Sequence, residues 1–156
     1  MAGWAVGAAS CYLDHPWGPG KLLVGVRCRF GSLAADDVAL LDTGGEWSVL
    51  SADVAELAGV DLPSPASPIS LHSRYGRHAG TLHRMPVLLV ADGGSDLVLD
   101  ATVLVVPDWP GPPVLGVRGF LERVRIALDP GGAADDPWFY FGEPSPTPGP
   151  CPDLFA

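Results

Sequence analysis

The chain has 156 residues and a mass of 16.2 kDa, which is enough for one domain with a buried core and too little for a second full lobe. Hydrophobic residues make up 47% of the sequence and the mean hydropathy is +0.26; these values exclude general disorder, while every apolar run is too short to cross a bilayer. The formal net charge of −9 excludes a generally basic nucleic-acid-binding surface, although a local basic patch around Arg74, Arg77 and Arg84 stays open.

The N-terminal 20 residues and the cysteines bear on location rather than on chemistry. Cys11, Cys28 and Cys151 are widely separated, so neither a disulfide framework nor a thiolate metal site is indicated, and a reducing compartment suits them. Small residues precede Cys11, but a basic start and a long apolar stretch are missing, so we reject a lipoprotein signal and expect a cytoplasmic protein. Residues 1–20 are expected to form an irregular segment or an edge strand.

The first regular pattern is a strand over residues 21–30, in which apolar and other residues alternate from Val24 onward. A second apolar run, residues 38–41, ends in Asp42, Thr43, Gly44 and Gly45. If that run is a buried strand, an ionised Asp42 loses solvation, which proteins rarely accept without hydrogen bonds or a task for the group. The other interpretation is a plain turn in which Asp42 makes an Asx-type bond to its own backbone.

After this turn, residues 47–50 read as a short return strand and Ser51 as the N-cap of a helix over residues 52–58 that ends at Gly59. A proline-rich connector then leads to two arms of a hairpin, residues 69–72 and 81–90. Gly76 and Gly80 are predicted to bracket the hairpin tip at residues 77–79.

The rest of the chain predicts a turn at residues 92–96, an apolar strand at 97–106 and a stiff proline-rich loop at 107–113. Val114-Leu115-Gly116 follows that loop. A short helix over residues 120–124 and strands at 125–128 and 138–141 complete the domain, which we bound at residues 21–142. Residues 143–156 are rich in proline and are predicted to form a flexible tail.

The order of the predicted elements resembles the retropepsin-like aspartic peptidases. In that order they are an apolar strand, Asp42-Thr43-Gly44, a long hairpin, the apolar-apolar-Gly triplet that contains Leu115-Gly116, a short helix and a last strand. The resemblance covers residues 21–142. It implies an all-β fold, a closed or partly open acid-protease barrel with a flap hairpin and one or two short helices. The apolar-apolar-Gly strand would lie next to the Asp42 strand, with Gly116 leaving room beside the carboxylate.

The resemblance also implies a mechanism, because the family hydrolyses peptide bonds with two aspartates and one water. Since the chain has a single Asp-Thr-Gly, the second carboxylate would come from Asp42 of another copy in a homodimer. Thr43 would brace the pair, and Gly44 would leave space for water and an extended polypeptide substrate, with no cofactor. Tyr75, Gly76, Gly80, Leu115 and Gly116 would contact the substrate. The segment Val117-Arg118-Gly119 departs from the family pattern, so the role of Arg118 stays open.

Other site chemistries find less support in the sequence. His72, His78 and His83 lack the spacing of zinc ligands. A serine hydrolase would need a Gly-x-Ser-x-Gly elbow, and a phosphate loop would need a following Lys-Ser or Lys-Thr; the sequence contains neither. The alternative of a different class is a retropepsin-like module that does not cleave and serves in dimerisation or peptide binding, since a fold does not fix a function.

Overall fold

The computed structural model describes residues 4–11, 24–62, 67–129 and 137–144. In these ranges the chain forms strands β1 to β11, one α-helix (α1) and one turn of 3-10 helix. In chain order they are β1 (Gly7–Ser10), β2 (Val24–Phe30), β3 (Asp37–Leu41), β4 (Ser48–Ser51), α1 (Ala52–Leu57), β5 (Ile69–Ser73), β6 (Gly76–Leu89), β7 (Gly93–Gly94), β8 (Leu97–Val106), β9 (Val114–Leu115), the 3-10 turn (Leu121–Arg123), β10 (Arg125–Asp129) and β11 (Trp138–Gly142). The predicted all-β class is confirmed.

The strands form two sheets. The larger has the order β2-β3-β9-β4-β8-β6-β5, and β2 pairs in addition with β6, so that six of its strands are joined in a ring. The smaller has the order β10-β11-β1-β7. Within the described ranges no helix is long and apolar enough to cross a membrane.

Strand β8 divides the apolar interior into two parts because successive side chains point to opposite faces. Val103 and Val105 contribute to the main core, which also contains four buried phenylalanines. Leu104 and Val106 face the other way and pack with Val49 and Trp109 in a second, smaller cluster. The strand is therefore covered on both faces, which explains why its sequence reads as a nearly continuous apolar run.

The one α-helix follows the predicted signals closely. The Ser51 hydroxyl accepts a hydrogen bond from the backbone N–H of Val54 (3.4 Å), which satisfies one of the free donors at the helix start. Gly59 has a φ of +89°, the left-handed conformation that favours glycine after a helix. The helix ends at Leu57, one residue before the predicted end.

Four predicted segments differ from the structure. The helix predicted over residues 120–124 is a 3-10 turn, Leu121–Arg123, and the turn predicted at residues 92–96 contains β7, which pairs with β1. β1, in the segment predicted to be irregular or an edge strand, lies between β11 and β7 inside the smaller sheet. The hairpin turn is formed by Arg74 and Tyr75, since Ser73 pairs with Gly76, and residues 77–79 lie within β6. Residues 12–23, 63–66, 130–136 and 145–156, including most of the proline-rich tail and Cys151, lie outside the described ranges.

Gly80 misled the prediction of the hairpin tip because its role is close packing rather than a turn. A Cβ added there would lie 2.3 Å from the carbonyl oxygen of Val105 in the neighbouring strand β8. Only Gly76 serves the turn, with a φ of +111°. A glycine in a strand can thus mark a close approach between two backbones as well as a bend.

Asp92 links the two sheets. Its carboxylate accepts hydrogen bonds from the backbone N–H of Ser10 in β1 (2.8 Å) and from the guanidinium of Arg27 in β2. The hydrogen bond from Ser10 and then that from Arg27 lower the pKa of Asp92, because both favour the charged form. A carboxylate with a lowered pKa stabilises the fold above its unfolded-state pKa, and this contribution is lost as the pH falls through the folded-state value.

We predict that Asp92→Asn lowers the free energy of unfolding at neutral pH by about 0.5–1 kcal/mol, a small value because the group is partly exposed and screened by solvent. Urea denaturation measures the effect at neutral pH and at a pH well below 3.8, the ordinary Asp value, because the lowered pKa keeps the folded-state carboxylate charged to a lower pH. The difference from wild type should shrink at the lower pH, where the wild-type carboxyl group also becomes neutral. A difference of the same size at both pH values would contradict the assigned role.

Candidate active site

The turn after β3 holds Asp42 through backbone contacts on both sides. The N–H of Asp42 donates to the carbonyl oxygen of Leu115 in β9 (3.0 Å), and the N–H of Gly45 donates to the carbonyl oxygen of Asp42 (3.1 Å). The N–H of Gly44 donates to Oδ1 of the Asp42 carboxylate (3.0 Å). This last contact is the Asx-type bond of an ordinary turn, and it also fixes the direction of the carboxylate.

The Asp42 side chain is exposed in the single chain, which corrects the expectation of a desolvated carboxylate. Strand β3 is only half-buried: Ala39 is fully enclosed, whereas Leu40 and Leu41 are intermediate. Asp42 also lies beyond the last residue of the strand, where the turn leads to the surface. Burial within one chain therefore does not constrain this carboxylate, and its position depends on the turn.

Strand β9 lies between β3 and β4, parallel to the first and antiparallel to the second. The resemblance therefore predicted correctly that the apolar-apolar-Gly strand adjoins the Asp42 strand. The reason for glycine at position 116 is different from the expected one. A Cβ at Gly116 would lie 2.3 Å from the carbonyl oxygen of Trp47, so the glycine permits contact with the backbone before β4.

Ser48 is a supporting residue that the sequence did not identify. Its side chain is 1% exposed, and its hydroxyl accepts a hydrogen bond from the N–H of Gly116 (3.0 Å). The only signal in the sequence is a hydroxyl residue inside the apolar run from Trp47 to Leu50. This buried hydroxyl joins β4 to the segment after β9, which is a structural role for the serine.

Arg118 lies beside the far side of the Asp42 turn. Its N–H donates to the carbonyl oxygen of Glu46 (2.8 Å), and the neighbouring N–H of Val117 donates to that of Gly45 (2.8 Å). The Arg118 side chain forms an exposed ion pair with Glu46 (3.4 Å) and lies over the Trp47 ring at 5.7 Å. Glu46, the other carboxylate among the lining residues of the cleft described below, is thus ion-paired with Arg118.

A cleft with a volume of about 720 Å³ opens above the turn. Its floor is the segment from Leu40 to Trp47, which includes Asp42, Thr43 and Gly44, and its other side is the hairpin segment from Ser70 to Tyr75. Val49, Trp109, Pro112 and Val114 complete the lining. The cleft therefore combines two carboxylates on the floor, a mostly polar hairpin side and a group of apolar side chains.

Trp109 organises the wall of the cleft and was missed as a site residue. Its ring is 9% exposed, and its indole N–H donates to the carbonyl oxygen of Pro112 (2.8 Å), which fixes its orientation in the loop. The rings of Tyr75 and His78 both meet it edge to face, each at 5.4 Å. These two contacts connect the hairpin to the loop between β8 and β9. The proline-rich composition of that loop predicted stiffness, but not a partner for the hairpin.

His78 packs beneath the hairpin turn. It is 8% exposed, and neither ring nitrogen has a hydrogen-bond partner among the described residues; Nδ1 lies 3.6 Å from the nearer carboxylate oxygen of Asp108. The histidines do not gather into a ligand set: in the described ranges no three metal-ligating side chains form a group. The histidine alternative therefore gains no support from the geometry.

The predicted site residues fall into two groups. Asp42, Thr43, Gly44 and Tyr75 line the cleft. Leu115, Gly116, Gly80 and Gly76 are not among the lining residues: the first three are buried, and Gly76 is exposed beside the turn.

No protein-family model and no curated protein matches the chain. The cleft combines a directed carboxylate, a floor fixed by backbone hydrogen bonds and a hairpin that lines its other side.

We predict that Gly116→Ala lowers the free energy of unfolding by about 2–4 kcal/mol, because the added Cβ forces β9 away from the Trp47 backbone. Gly44→Ala is the matched control, since a Cβ there would lie 3.4 Å from the Asp42 carboxylate, an ordinary contact. Chemical denaturation of both variants makes the comparison. Equal stability of the two variants would show that the close approach at Gly116 is not a constraint.

Proposed function

We propose that this protein is an aspartic endopeptidase of the retropepsin-like type, with a barrel-like sheet and an active site assembled from two copies of the chain. The observation that carries the proposal is the placement of Asp42. A carboxylate directed by the Gly44 N–H lies on the floor of a cleft whose other side is a hairpin, next to strand β9, which is followed by Gly116. This arrangement agrees with the order of motifs in the sequence.

The chemistry requires two carboxylates. Two ionised groups at about 4 Å repel each other by roughly 4 kcal/mol at an effective dielectric constant of 20, so a close pair favours holding one proton between them; aspartic proteases are a standard example. The cleft of one chain offers Asp42 and Glu46, and Glu46 is paired with Arg118. A second Asp42 across a twofold axis supplies the partner, since an isologous dimer brings equivalent residues face to face.

In the proposed reaction the ionised Asp42 takes a proton from water while the protonated Asp42 gives its proton to the carbonyl oxygen of the peptide. The water oxygen forms a bond to the carbonyl carbon, which becomes tetrahedral. Return of a proton to the nitrogen and cleavage of the carbon–nitrogen bond release a carboxyl group and an amine. The hairpin, acting as a flap, would cover an extended polypeptide that is held by backbone hydrogen bonds.

Replacement of Asp42 tests the assignment. We expect Asp42→Asn to reduce cleavage of a diverse peptide mixture by roughly 10²- to 10⁴-fold, because an amide can neither accept nor donate the transferred proton. Its fold and sedimentation behaviour should match those of wild type, since the side chain is exposed and Asn can still accept the Gly44 hydrogen bond. Mass spectrometry of the products across acidic to neutral pH measures the loss.

Asp61→Asn is the matched control, because Asp61 is an exposed carboxylate outside the cleft. A transition-state-mimicking aspartic-peptidase inhibitor should abolish the activity of wild type and of this control alike. Undiminished turnover by Asp42→Asn would refute the proposal. Binding of peptides without any cleavage by wild type would instead support the non-cleaving module.

Mixed dimers test the origin of the second carboxylate. Wild type and Asp42→Asn are mixed at a one-to-one ratio, unfolded together and refolded. The activity of the mixture is compared with that of a sample that contains the same total amount of protein, all of it wild type. If each site needs both Asp42 residues, about one quarter of the activity remains, whereas self-sufficient subunits would retain about one half. A linear dependence of activity on the wild-type fraction would therefore contradict a shared site.

A further inference from the structure

The hairpin carries positive charge although the net charge of the chain is negative. Between Asp61 and Asp92 the sequence contains no acidic residue, although the whole chain has 18. The same stretch carries Arg74, Arg77 and Arg84. Strands β5 and β6 build the hairpin from this stretch, and its turn, Arg74 and Tyr75, lines the cleft.

Arg74 contacts Tyr75 on the hairpin side of the cleft, and Tyr75 in turn contacts Trp109. Trp109 is anchored to the carbonyl oxygen of Pro112, and Tyr75 meets Trp109 edge to face. The Arg74 guanidinium lies 5.0 Å from the centre of the Tyr75 ring and donates a hydrogen bond to the Tyr75 hydroxyl (3.1 Å). A guanidinium has five N–H donors in a planar fork, so it can bind a carboxylate in addition to the contacts it makes within the chain.

We propose, on the basis of the peptidase function proposed above, that the cleft selects polypeptides with an acidic side chain close to the cleaved bond, and that Arg74 is the residue that selects it. The acidic side chain would lie under the hairpin turn and not over the floor. On the floor it would meet Asp42, which repels it, and Glu46, which is already paired with Arg118. Alternate side chains of an extended peptide point to opposite sides, so one can face the hairpin while the bond to be cleaved faces Asp42.

The net charge of −9 does not oppose this preference. Charges farther from the bound carboxylate than a Debye length, about 8 Å at physiological salt, are largely screened. A guanidinium in direct contact with the carboxylate interacts at a much shorter distance. Direct contact with the cation therefore sets the preference, and high salt should weaken it.

The test uses a peptide mixture in which Glu, Gln and Lys occur equally at every position. Wild type should cleave peptides with Glu near the cleaved bond about fivefold to tenfold more efficiently than those with Gln, the range expected for a partly exposed charged hydrogen bond. Arg74→Gln should remove this preference, and Arg74→Glu should shift it toward Lys. Raising the salt from about 0.1 M to about 1 M should reduce it, because the Debye length falls from about 10 Å to about 3 Å.

Arg84→Gln is the matched control, since it removes one positive charge from the same acid-free stretch. Arg84 pairs with Asp100 on β8 and lies outside the cleft. This variant should keep the preference for Glu. Equal cleavage of Glu and Gln peptides by wild type, or a preference that persists in Arg74→Gln, would overturn the proposal.

A binding measurement separates this inference from the peptidase function. Asp42→Asn is titrated with fluorescent peptides that differ only in Glu or Gln, and anisotropy reports the affinity. Glu-selective binding without cleavage by wild type would retain the inference and refute the peptidase. Cleavage without a preference for Glu would support the peptidase function and refute the selection by Arg74. An absence of both binding and cleavage would refute both proposals.

Discussion

The insertion of β9 between β3 and β4 is the constraint on which the site depends. A strand of only two residues, Val114–Leu115, is paired on both sides, and the N–H groups of Leu40 and Asp42 donate to the carbonyl oxygens of Pro113 and Leu115. Beyond β9 the direction of donation reverses, with Val117 and Arg118 donating to the carbonyl oxygens of Gly45 and Glu46. The Asp42 turn is thus held at its start and at its end by one neighbouring segment.

Glycine at position 116 makes this double attachment feasible. Without a side chain, the segment after β9 approaches the Trp47 backbone closely enough for its N–H to reach the buried hydroxyl of Ser48. A buried N–H without a partner would cost about 1–3 kcal/mol, so the serine and the glycine act together. The carboxylate of Asp42 can remain exposed because no side-chain packing is needed to position it.

The floor and the hairpin side of the cleft are fixed in different ways. The floor belongs to the larger sheet and is held by backbone hydrogen bonds. The hairpin turn is connected to the loop after β8 by the aromatic contacts of Tyr75 and His78 with Trp109. Among the described strands β5 pairs only with β6, at the edge of the larger sheet. Aromatic pairs of this kind contribute about 0.5–1.5 kcal/mol each, less than the several backbone bonds beneath. We therefore expect the hairpin side to move more easily than the floor.

The sequence predicted elements whose patterns are local. The bounds of β8 agree with the prediction, and the end of α1 differs by one residue. Both elements have local signals in the sequence: an apolar run between turns for β8, and capping residues for α1. The sequence did not reveal the roles of residues that depend on contact with a backbone segment far away in the chain. Gly80 and Gly116 each permit contact with another strand, and the exposure of Asp42 depends on where β3 stops relative to β9.

The exposure of Asp42 in one chain is compatible with the proposed shared site, because each copy would supply one carboxylate and receive the second from its partner. Within one chain the carboxylate already has its direction from the Gly44 N–H and its position from Leu115. What the cleft of one chain lacks, among the described residues, is a second carboxylate without an ion-pair partner, since Glu46 is paired with Arg118. A facing copy would add that group and cover the first, and the resulting repulsion would be relieved by one shared proton. Dimerisation would then create the acid and the base together from two identical residues.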